Sequence, residues 1–352
     1  MEAACASDER WMCAALALAQ RGLGEVAPNP AVGCVIVKDG HVVGRGWTQA
    51  GGRPHAETQA LVQAGAAACG ASAYVSLEPC AHHGATPPCA EALIDAGITR
   101  VVAAARDPDP RTAGQGLARL KAAGVMVVEG VLAGEARLLN AGFFLKILRG
   151  RPLVTLKLAT TQDGRIATPG GESQWITGEE ARAHGHLARA RHDAILIGAG
   201  TLRADDPLLT CRLPGLEGRS PRRVVLKGRQ PLPPAKILDP QAQPETWVLE
   251  DAASGGVEPS AALSELARRG VTRLLIEGGA RIATAFIAAG LVDCILWYRA
   301  PSLFGAEGKA AIGALDVQAI AAAPRFFLAQ RRPLGPDNLD ILIRPQLAAE
   351  LA

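Results

Sequence analysis

Three residues with nitrogen or sulfur donors, His55, Cys80 and Cys89, stand where they could close on one ion. Zinc favours tetrahedral nitrogen and sulfur ligands, and a catalytic zinc keeps three protein ligands with water in the fourth place. Glu57 lies two residues beyond the histidine and is not needed as a ligand. A carboxylate so placed can shuttle a proton between that water and a departing group. The same residues admit two plainer readings: a purely structural zinc site, or two buried thiols near a surface histidine. A structural site, however, needs no spare carboxylate.

A second candidate lies far along the chain, at Glu277-Gly278-Gly279-Ala280-Arg281. It follows the apolar run Leu274-Leu275-Ile276 and opens a helix-like segment, where small residues let a phosphate approach free backbone N–H groups. An ordinary tight strand-to-helix turn accounts for it equally well. Gly198-Ala199-Gly200 also follows a strand-like run, but Arg203 occupies the sixth position, so the dinucleotide fingerprint G-x-G-x-x-G fails.

Alternating elements must hold these residues. Asp8 to Gln20 reads as an amphipathic helix, and Val32–Lys38 and Val42–Trp47 flank Asp39-Gly40, a hairpin signal. His55–Ala68 reads as a helix, Ala73–Glu78 as a strand, Cys89–Ala96 as a helix and Arg100–Ala105 as a strand. Leu117–Ala123 and Val125–Val128 repeat the helix–glycine–strand step, as in βα units of a mixed sheet. His55 and Cys89 would each open a helix, where the helix dipole favours thiolates and bound anions. Near Arg149-Gly150-Arg151-Pro152 the pattern restarts, which predicts domains over 1–148 and 149–352. The second begins with a strand at Leu153–Ala159 and an Asp163-Gly164 turn. A helix is expected from Thr177, with Glu180 at capping-box spacing. Strands are expected at Ala194–Gly198, Arg223–Leu226, Trp247–Glu250, Arg273–Glu277, Cys294–Arg299 and Leu339–Arg344, with Pro231–Pro244 a surface loop.

Composition excludes several functions. The 352 residues carry 37 basic and 34 acidic side chains, a net charge of +3 that gives no field for gripping a nucleic acid. The basic cluster Arg219, Arg222, Arg223, Lys227 and Arg229 reads as a solvated edge strand rather than a nucleic-acid patch. The early apolar run Trp11–Ala19 is nine residues, short of the roughly 20 a membrane span needs. It follows Ser7-Asp8-Glu9-Arg10, a helix start rather than the basic head of an export signal. A cytoplasmic, reducing location is therefore expected, with no disulfide framework. Cys5, Cys13, Cys34, Cys69, Cys211 and Cys294 then read as core or spare thiols, and His82 and His83 as solvated loop residues.

The order His55-Ala56-Glu57, Pro79-Cys80, Pro88-Cys89 follows the pattern of zinc nucleobase deaminases, H-x-E…P-C-x-x-C, except that eight residues rather than two separate the cysteines. The insert is placed to line a substrate pocket. With Pro28-Asn29-Pro30-Ala31-Val32-Gly33, Thr86-Pro87-Pro88-Cys89 and Asp107-Pro108-Asp109-Pro110, the first half resembles the bacterial bifunctional riboflavin-biosynthesis deaminase/reductases. Lys157-Leu158-Ala159, Asp163-Gly164-Arg165, Gly171 to Thr177, Asp205-Asp206-Pro207 and Glu277-Gly278-Gly279 extend the resemblance over essentially the whole chain.

That resemblance implies an α/β chain: a cytidine-deaminase-like domain, then a dihydrofolate-reductase-like domain. The first would remove the 2-amino group of 2,5-diamino-6-(5-phosphoribosylamino)pyrimidin-4-one with one zinc ion, Glu57 moving the protons and Asn29 holding ring or ribose. The second would use NADPH to reduce the ribose of the deaminated product to a ribityl chain. By motif, NADPH would meet Ala159, Trp175, Thr201, Asp205 and the turn Gly279, Ala280, Arg281, Ile282, Ala283, Thr284 and Ala285. Substrate would meet Ser173, Arg189, Leu209, Arg212 and Glu277, arginine suiting the phosphate. Taken singly, Trp175 could instead be core, Arg189 a solvated helix face and Asp205 a helix cap. A homodimer through the reductase domain is also implied.

Four positions depart from the family pattern. Thr48 stands where histidine is usual, Ala85 where Lys or Arg is, Asp109 where Asn is frequent and Lys227 where Asp is expected. The first three are places for contacts to the ribose phosphate, and Arg53 or Arg111 is the cation that could compensate. Two rival readings are a zinc deaminase acting on a nucleotide or tRNA, against which the low charge argues, and a zinc-stabilised interaction module, against which Glu57 argues.

Overall fold

The computed structural model describes residues 6–83, 87–110, 112–250 and 257–351. The chain divides into two compact units, with the division between Arg149 and Gly150.

The first unit is built on a five-stranded mixed sheet in the order β2-β1-β3-β4-β5, with β1 Gly33–Lys38, β2 His41–Trp47, β3 Ser72–Val75, β4 Arg100–Ala103 and β5 Met126–Glu129. Helices α1 Ala6–Ala19, α2 Ala56–Ala64, α3 Cys89–Asp95, α4 Gln115–Ala122, α5 Ala133–Leu139 and α6 Ala141–Arg149 accompany it. Asp39 and Gly40 both take positive φ, 48° and 75°, as the mirror-image two-residue turn of a hairpin requires. Strand β1 is antiparallel to β2 and β3, whereas β3, β4 and β5 run parallel, joined through α3 and α4. The expected helix over His55–Ala68 stops at Ala64 and continues as a tighter turn through Ala68. Asp8 lies in the first turn of α1, as expected, and is buried. Its carboxylate accepts two hydrogen bonds from Arg100 at 2.9 Å and one from the Tyr74 hydroxyl at 3.1 Å.

The second unit carries an eight-stranded sheet in the order β10-β9-β8-β11-β6-β12-β15-β14. In chain order its elements are β6 Leu153–Thr161, β7 Arg165–Ala167, α7 Glu179–Ala190, β8 Ala194–Gly198, α8 Ala199–Asp205, β9 Arg222–Leu226 and β10 Thr246–Leu249. They continue with α9 Pro259–Arg268, β11 Arg273–Ile276, α10 Ala280–Ala288, β12 Cys294–Ala300, β13 Lys309–Ala310, β14 Phe327–Leu334, β15 Asp337–Ile343 and α11 Leu347–Glu350. The six strands from β10 to β12 are parallel and β15 and β14 antiparallel, while β7 and β13 form a small separate ribbon. Both faces of the parallel part are covered. Val154, Leu156, Leu274 and Ile276 feed one core, and Ile195, Ile197, Leu275 and Tyr298 the other.

Three expectations for this unit need correction. Helix α7 is not closed by a Thr177–Glu180 capping box. Gly178 is its N-cap with no side-chain cap, and the Gly178 N–H donates to Asp337 Oδ2 at 2.7 Å, so a tertiary carboxylate replaces the local cap. The basic cluster is not on an edge strand, because β9 lies between β10 and β8. Arg223 is buried there, Arg222 donates to Glu245 at 2.7 Å, and Lys227 pairs with Glu250. Edge strand β14 was missed altogether. Its eight residues include Arg331, Arg332 and Pro333, and the strand is held by pairing to β15 rather than by a buried apolar face.

Candidate active sites

In the first unit the donor set converges where α2 and α3 begin. His55 is the N-cap of α2, and Cys89 is the first residue of α3. Cys80 lies in the loop after β3, and its sulfur accepts the Cys89 N–H at 3.2 Å. His55 Nδ1 is 3.2 Å from Cys89 Sγ and 3.6 Å from Cys80 Sγ, and all three ligand atoms lie within 4.8 Å of one another. Tetrahedral zinc, with bonds of about 2.0–2.3 Å, separates such donors by roughly 3.5–3.8 Å. The set therefore fits zinc with little movement.

Close backbone packing fixes these helices. A Cβ on Gly46 of β2 would fall 2.1 Å from the Ala56 carbonyl oxygen, so only glycine lets the first turn of α2 lie so near the sheet. Likewise a Cβ on Gly116 would fall 1.8 Å from the Pro79 carbonyl oxygen, beside Cys80. Glu78 completes the support. Its buried carboxylate accepts N–H bonds from Gly114 at 2.9 Å and Gly116 at 3.0 Å, tying the loop that carries Cys80 to the start of α4.

Glu57 sits in the first turn of α2, 3% exposed. Burial pushes its carboxyl up to about 7, against the pull of His55. The hydrogen bond from Cys89 outweighs burial and, with His55, brings the Cys80 thiol down to about 4, while Cys89 is pushed up by sharing that proton. Metal binding to such a pair releases the shared proton. Asn29 lies against Gly52 in the turn leading to His55. Thr48 is buried, and its hydroxyl oxygen accepts the Val32 N–H at 2.9 Å. Asp109 is also buried, its N–H donating to Asp107 at 2.9 Å. His83 is solvated and faces Glu91 at 3.3 Å. Cys5, Ala85 and Arg111 lie outside the described residues. The described cysteines are all free.

In the second unit the candidate residues gather at the carboxyl ends of the parallel strands, where open α/β sheets bind ligands. Glu277, just after β11, is held by Arg189 of α7 through two bonds of 2.8 and 2.9 Å, with Lys157 of β6 3.5 Å away. Burial opposes ionisation, but Arg189 and Lys157 overrule it and hold the Glu277 carboxyl near 2. Arg189 also donates to the Thr210 carbonyl at 2.9 Å. It is therefore no solvated helix face: three of its five N–H donors are taken by Glu277 and Thr210. Lys157, Ala159, Trp175, Arg182, His186, Arg189 and Tyr298 line one cleft. Trp175 is 66% exposed, so it is not core, and the Arg182 guanidinium lies over its ring at 4.9 Å.

Gly279 is the N-cap of α10, and its N–H donates to Thr201 Oγ1 at 3.0 Å. Ile282 and Ala283 bond back to the Gly279 carbonyl, which leaves the Ala280 and Arg281 N–H groups without an intrahelical acceptor. Such a terminus fits a phosphate. The rest of the expected cofactor turn, Thr284 and Ala285, lies further along α10. Asp205 ends α8 and caps no helix start, Leu209 is buried at positive φ of 58°, Arg212 is exposed and Ser173 half-buried. Sequence reasoning assigned no role to Lys157, Arg182, His186 or Tyr298. The spacing of Arg182, His186 and Arg189, one face of a helix, was the available signal.

Two family descriptions match the chain: the cytidine and deoxycytidylate deaminase zinc-binding region over residues 5–105, and the RibD C-terminal domain over residues 152–339. The class is thus a cytidine-deaminase-like domain fused to a reductase domain. The riboflavin biosynthesis protein RibD of Escherichia coli is 41% identical, over 94% of this chain and 97% of that protein. The solved structure of Acinetobacter baumannii RibD superposes with TM-score 0.86 at 40% identity, covering 96% of this chain and 99% of that one. A diaminohydroxyphosphoribosylaminopyrimidine deaminase/5-amino-6-(5-phosphoribosylamino)uracil reductase from Thermotoga maritima superposes with TM-score 0.86 at 33% identity, covering 96% and 98%. The chain belongs to the RibD family, the bifunctional deaminase–reductases of riboflavin biosynthesis. Among the described residues no helix is long and apolar enough to cross a membrane.

Proposed function

We propose that the first unit deaminates 2,5-diamino-6-(5-phosphoribosylamino)pyrimidin-4-one and that the second uses NADPH to reduce the ribose of the resulting 5-amino-6-(5-phosphoribosylamino)uracil to a ribityl chain. The observation that carries this reading is the convergence of His55, Cys80 and Cys89 beside a buried carboxylate, Glu57, that is not one of the three donors.

His55, Cys80 and Cys89 would hold the zinc, which would supply an activated water. Glu57 would carry one proton of that water to the pyrimidine ring nitrogen and then the second, from the hydroxyl added to the ring carbon, to the departing amine, so that ammonia leaves neutral. Asn29 orients the ring or ribose. In the second unit, bound NADPH would supply the hydride that reduces C1′ of the opened sugar. Gly279, Ala280 and Arg281 would hold a cofactor phosphate at the α10 terminus beside Thr201, with Asp205, Ala159 and Trp175 as further cofactor contacts and Ile282 to Ala285 continuing the helix. Glu277, Arg189, Ser173, Leu209 and Arg212 shape the substrate side, Arg212 being the cation left for its phosphate. The protein contributes alignment and exclusion of water. A cytoplasmic homodimer is part of the same proposal, supported by Phe327 and Leu328, each 49% exposed on the outer strand β14.

Two assays on the purified protein test the proposal. Ammonia release from the diaminopyrimidine should proceed without NADPH, and NADPH oxidation should require the deaminated product. Failure of either in zinc-loaded protein overturns the corresponding half.

A further inference from the structure

His186 projects from α7 into the cleft that also contains Lys157, Trp175, Arg189 and Tyr298. Its Nδ1 lies 3.1 Å from the Thr210 carbonyl oxygen. A carbonyl can only accept, so Nδ1 carries the proton, and a neutral ring must then present Nε2 as an acceptor. Among the described residues Nε2 has no hydrogen-bond partner. Neutrality is favoured by burial and then by the cations Arg189 and Arg212, against the Thr210 carbonyl and the more distant Glu277. The other polar groups around the cleft offer mostly donors: the Lys157 ammonium and the Arg182 and Arg189 guanidiniums. The Glu277 carboxylate, the main acceptor nearby, is already committed to Arg189.

We propose that His186 is a substrate-positioning residue of the reductase, its Nε2 accepting a hydrogen bond from an O–H of the substrate's sugar chain. This rests on the reading of the cleft as the reductase site. A sugar hydroxyl suits the position because the phosphate, at neutral pH an acceptor alone, has Arg212 for a partner, while the hydroxyls beside it need acceptors. Glutamine can replace the imidazole in both contacts, one amide N–H toward Thr210 and the carbonyl toward substrate. Phenylalanine keeps the volume and makes neither.

The test uses full-length zinc-loaded protein. Steady-state reductase kinetics are measured for wild type, His186→Phe and His186→Gln, with NADPH affinity, ammonia release and thermal midpoint recorded in parallel. In His186→Phe the KM for 5-amino-6-(5-phosphoribosylamino)uracil should rise at least about tenfold. NADPH affinity, ammonia release and thermal midpoint should stay near wild type. His186→Gln should recover KM to within about threefold. Unchanged KM in His186→Phe overturns the proposal. So does a KM rise accompanied by an equal loss of NADPH affinity or a lowered midpoint, since that marks the Thr210 contact as merely structural. A wild-type protein that oxidises no NADPH with this substrate overturns the reading of the cleft itself, a result distinct from a working enzyme indifferent to His186.

Discussion

The two units hold their chemistry in different parts of the chain. In the first, four reactive side chains sit within 35 residues, at the starts of two helices and in one loop. In the second, the cleft draws on Lys157, Arg189, Glu277 and Tyr298, residues from β6, α7, the end of β11 and β12. Under the proposed function the first unit must itself assemble a metal and a proton carrier, so donor identity is tightly constrained. The second would receive its reactive hydride from a bound cofactor, and its side chains need only align and balance charge. Substitutions should therefore be all-or-none in the first unit and graded in the second.

The largest effect is expected from Cys80→Ser. Losing one of three converging donors should strip zinc from about one per chain toward none and abolish ammonia release. Metal analysis by mass spectrometry decides it, and full zinc retention would remove Cys80 from the site. Glu57→Gln should separate chemistry from metal. Zinc stays bound because the donors are intact, while ammonia release falls at least ~10²-fold, the range for losing a general acid–base group. Near-normal deamination would reassign Glu57 to a structural role. Reductase turnover on the deaminated product should survive both variants.

The same contrast explains what was legible in the sequence. The convergence of His55, Cys80 and Cys89 was readable because metal chemistry demands rare residue types in a fixed order. Asp39-Gly40 was readable because its turn needs two positive φ values. The capping of α7 was not, since its partner Asp337 lies 159 residues away. Nor was the inner position of β9, because Arg222 and Lys227 reach acidic partners on or beside β10 that no local pattern discloses. Arg189 shows the limit most clearly. Its type suggested a phosphate contact, but no local pattern disclosed that three of its N–H donors are taken by Glu277 and Thr210. Strand β14 escaped notice because pairing alone, without an alternating apolar face, makes it a strand.

A graded response is expected where the second unit balances charge. Arg189→Met leaves Glu277 buried with Lys157 as its remaining cation, and breaking such a pair costs about 3–5 kcal/mol. For a unit of this size that lowers the thermal midpoint by roughly 6–20 °C. Acid sensitivity follows with a definite sign. The folded pKa of Glu277 is depressed from 4.5 to about 2. Its stabilising contribution in wild type is thus complete above pH 4.5 and lost as pH falls through about 2. In Arg189→Met protonation instead relieves the unpaired charge. The stability gap between the two proteins should be widest near neutrality and narrow below pH 4.5, read by denaturant melts at stepped pH. A gap independent of pH would show that Arg189 acts through packing alone.

The smallest effect is expected at Gly279, where the second unit is proposed to use backbone rather than side chain. Gly279 has φ −68°, open to any residue, and a Cβ there would lie 3.5 Å from Thr201 Oγ1, an ordinary contact. Aspartate is a favourable N-cap, so Gly279→Asp should fold and even steady α10. Its carboxylate, however, would accept the N–H groups of the first turn and place negative charge where a cofactor phosphate is to sit. NADPH affinity should fall about tenfold, equivalent to about 1.4 kcal/mol. Gly279→Asn, also a good cap but uncharged, should lose less. Fluorescence titration with NADPH measures both, and ammonia release should be unchanged in either variant. Equal affinity across all three proteins would place the cofactor phosphate elsewhere and leave the α10 terminus an ordinary turn.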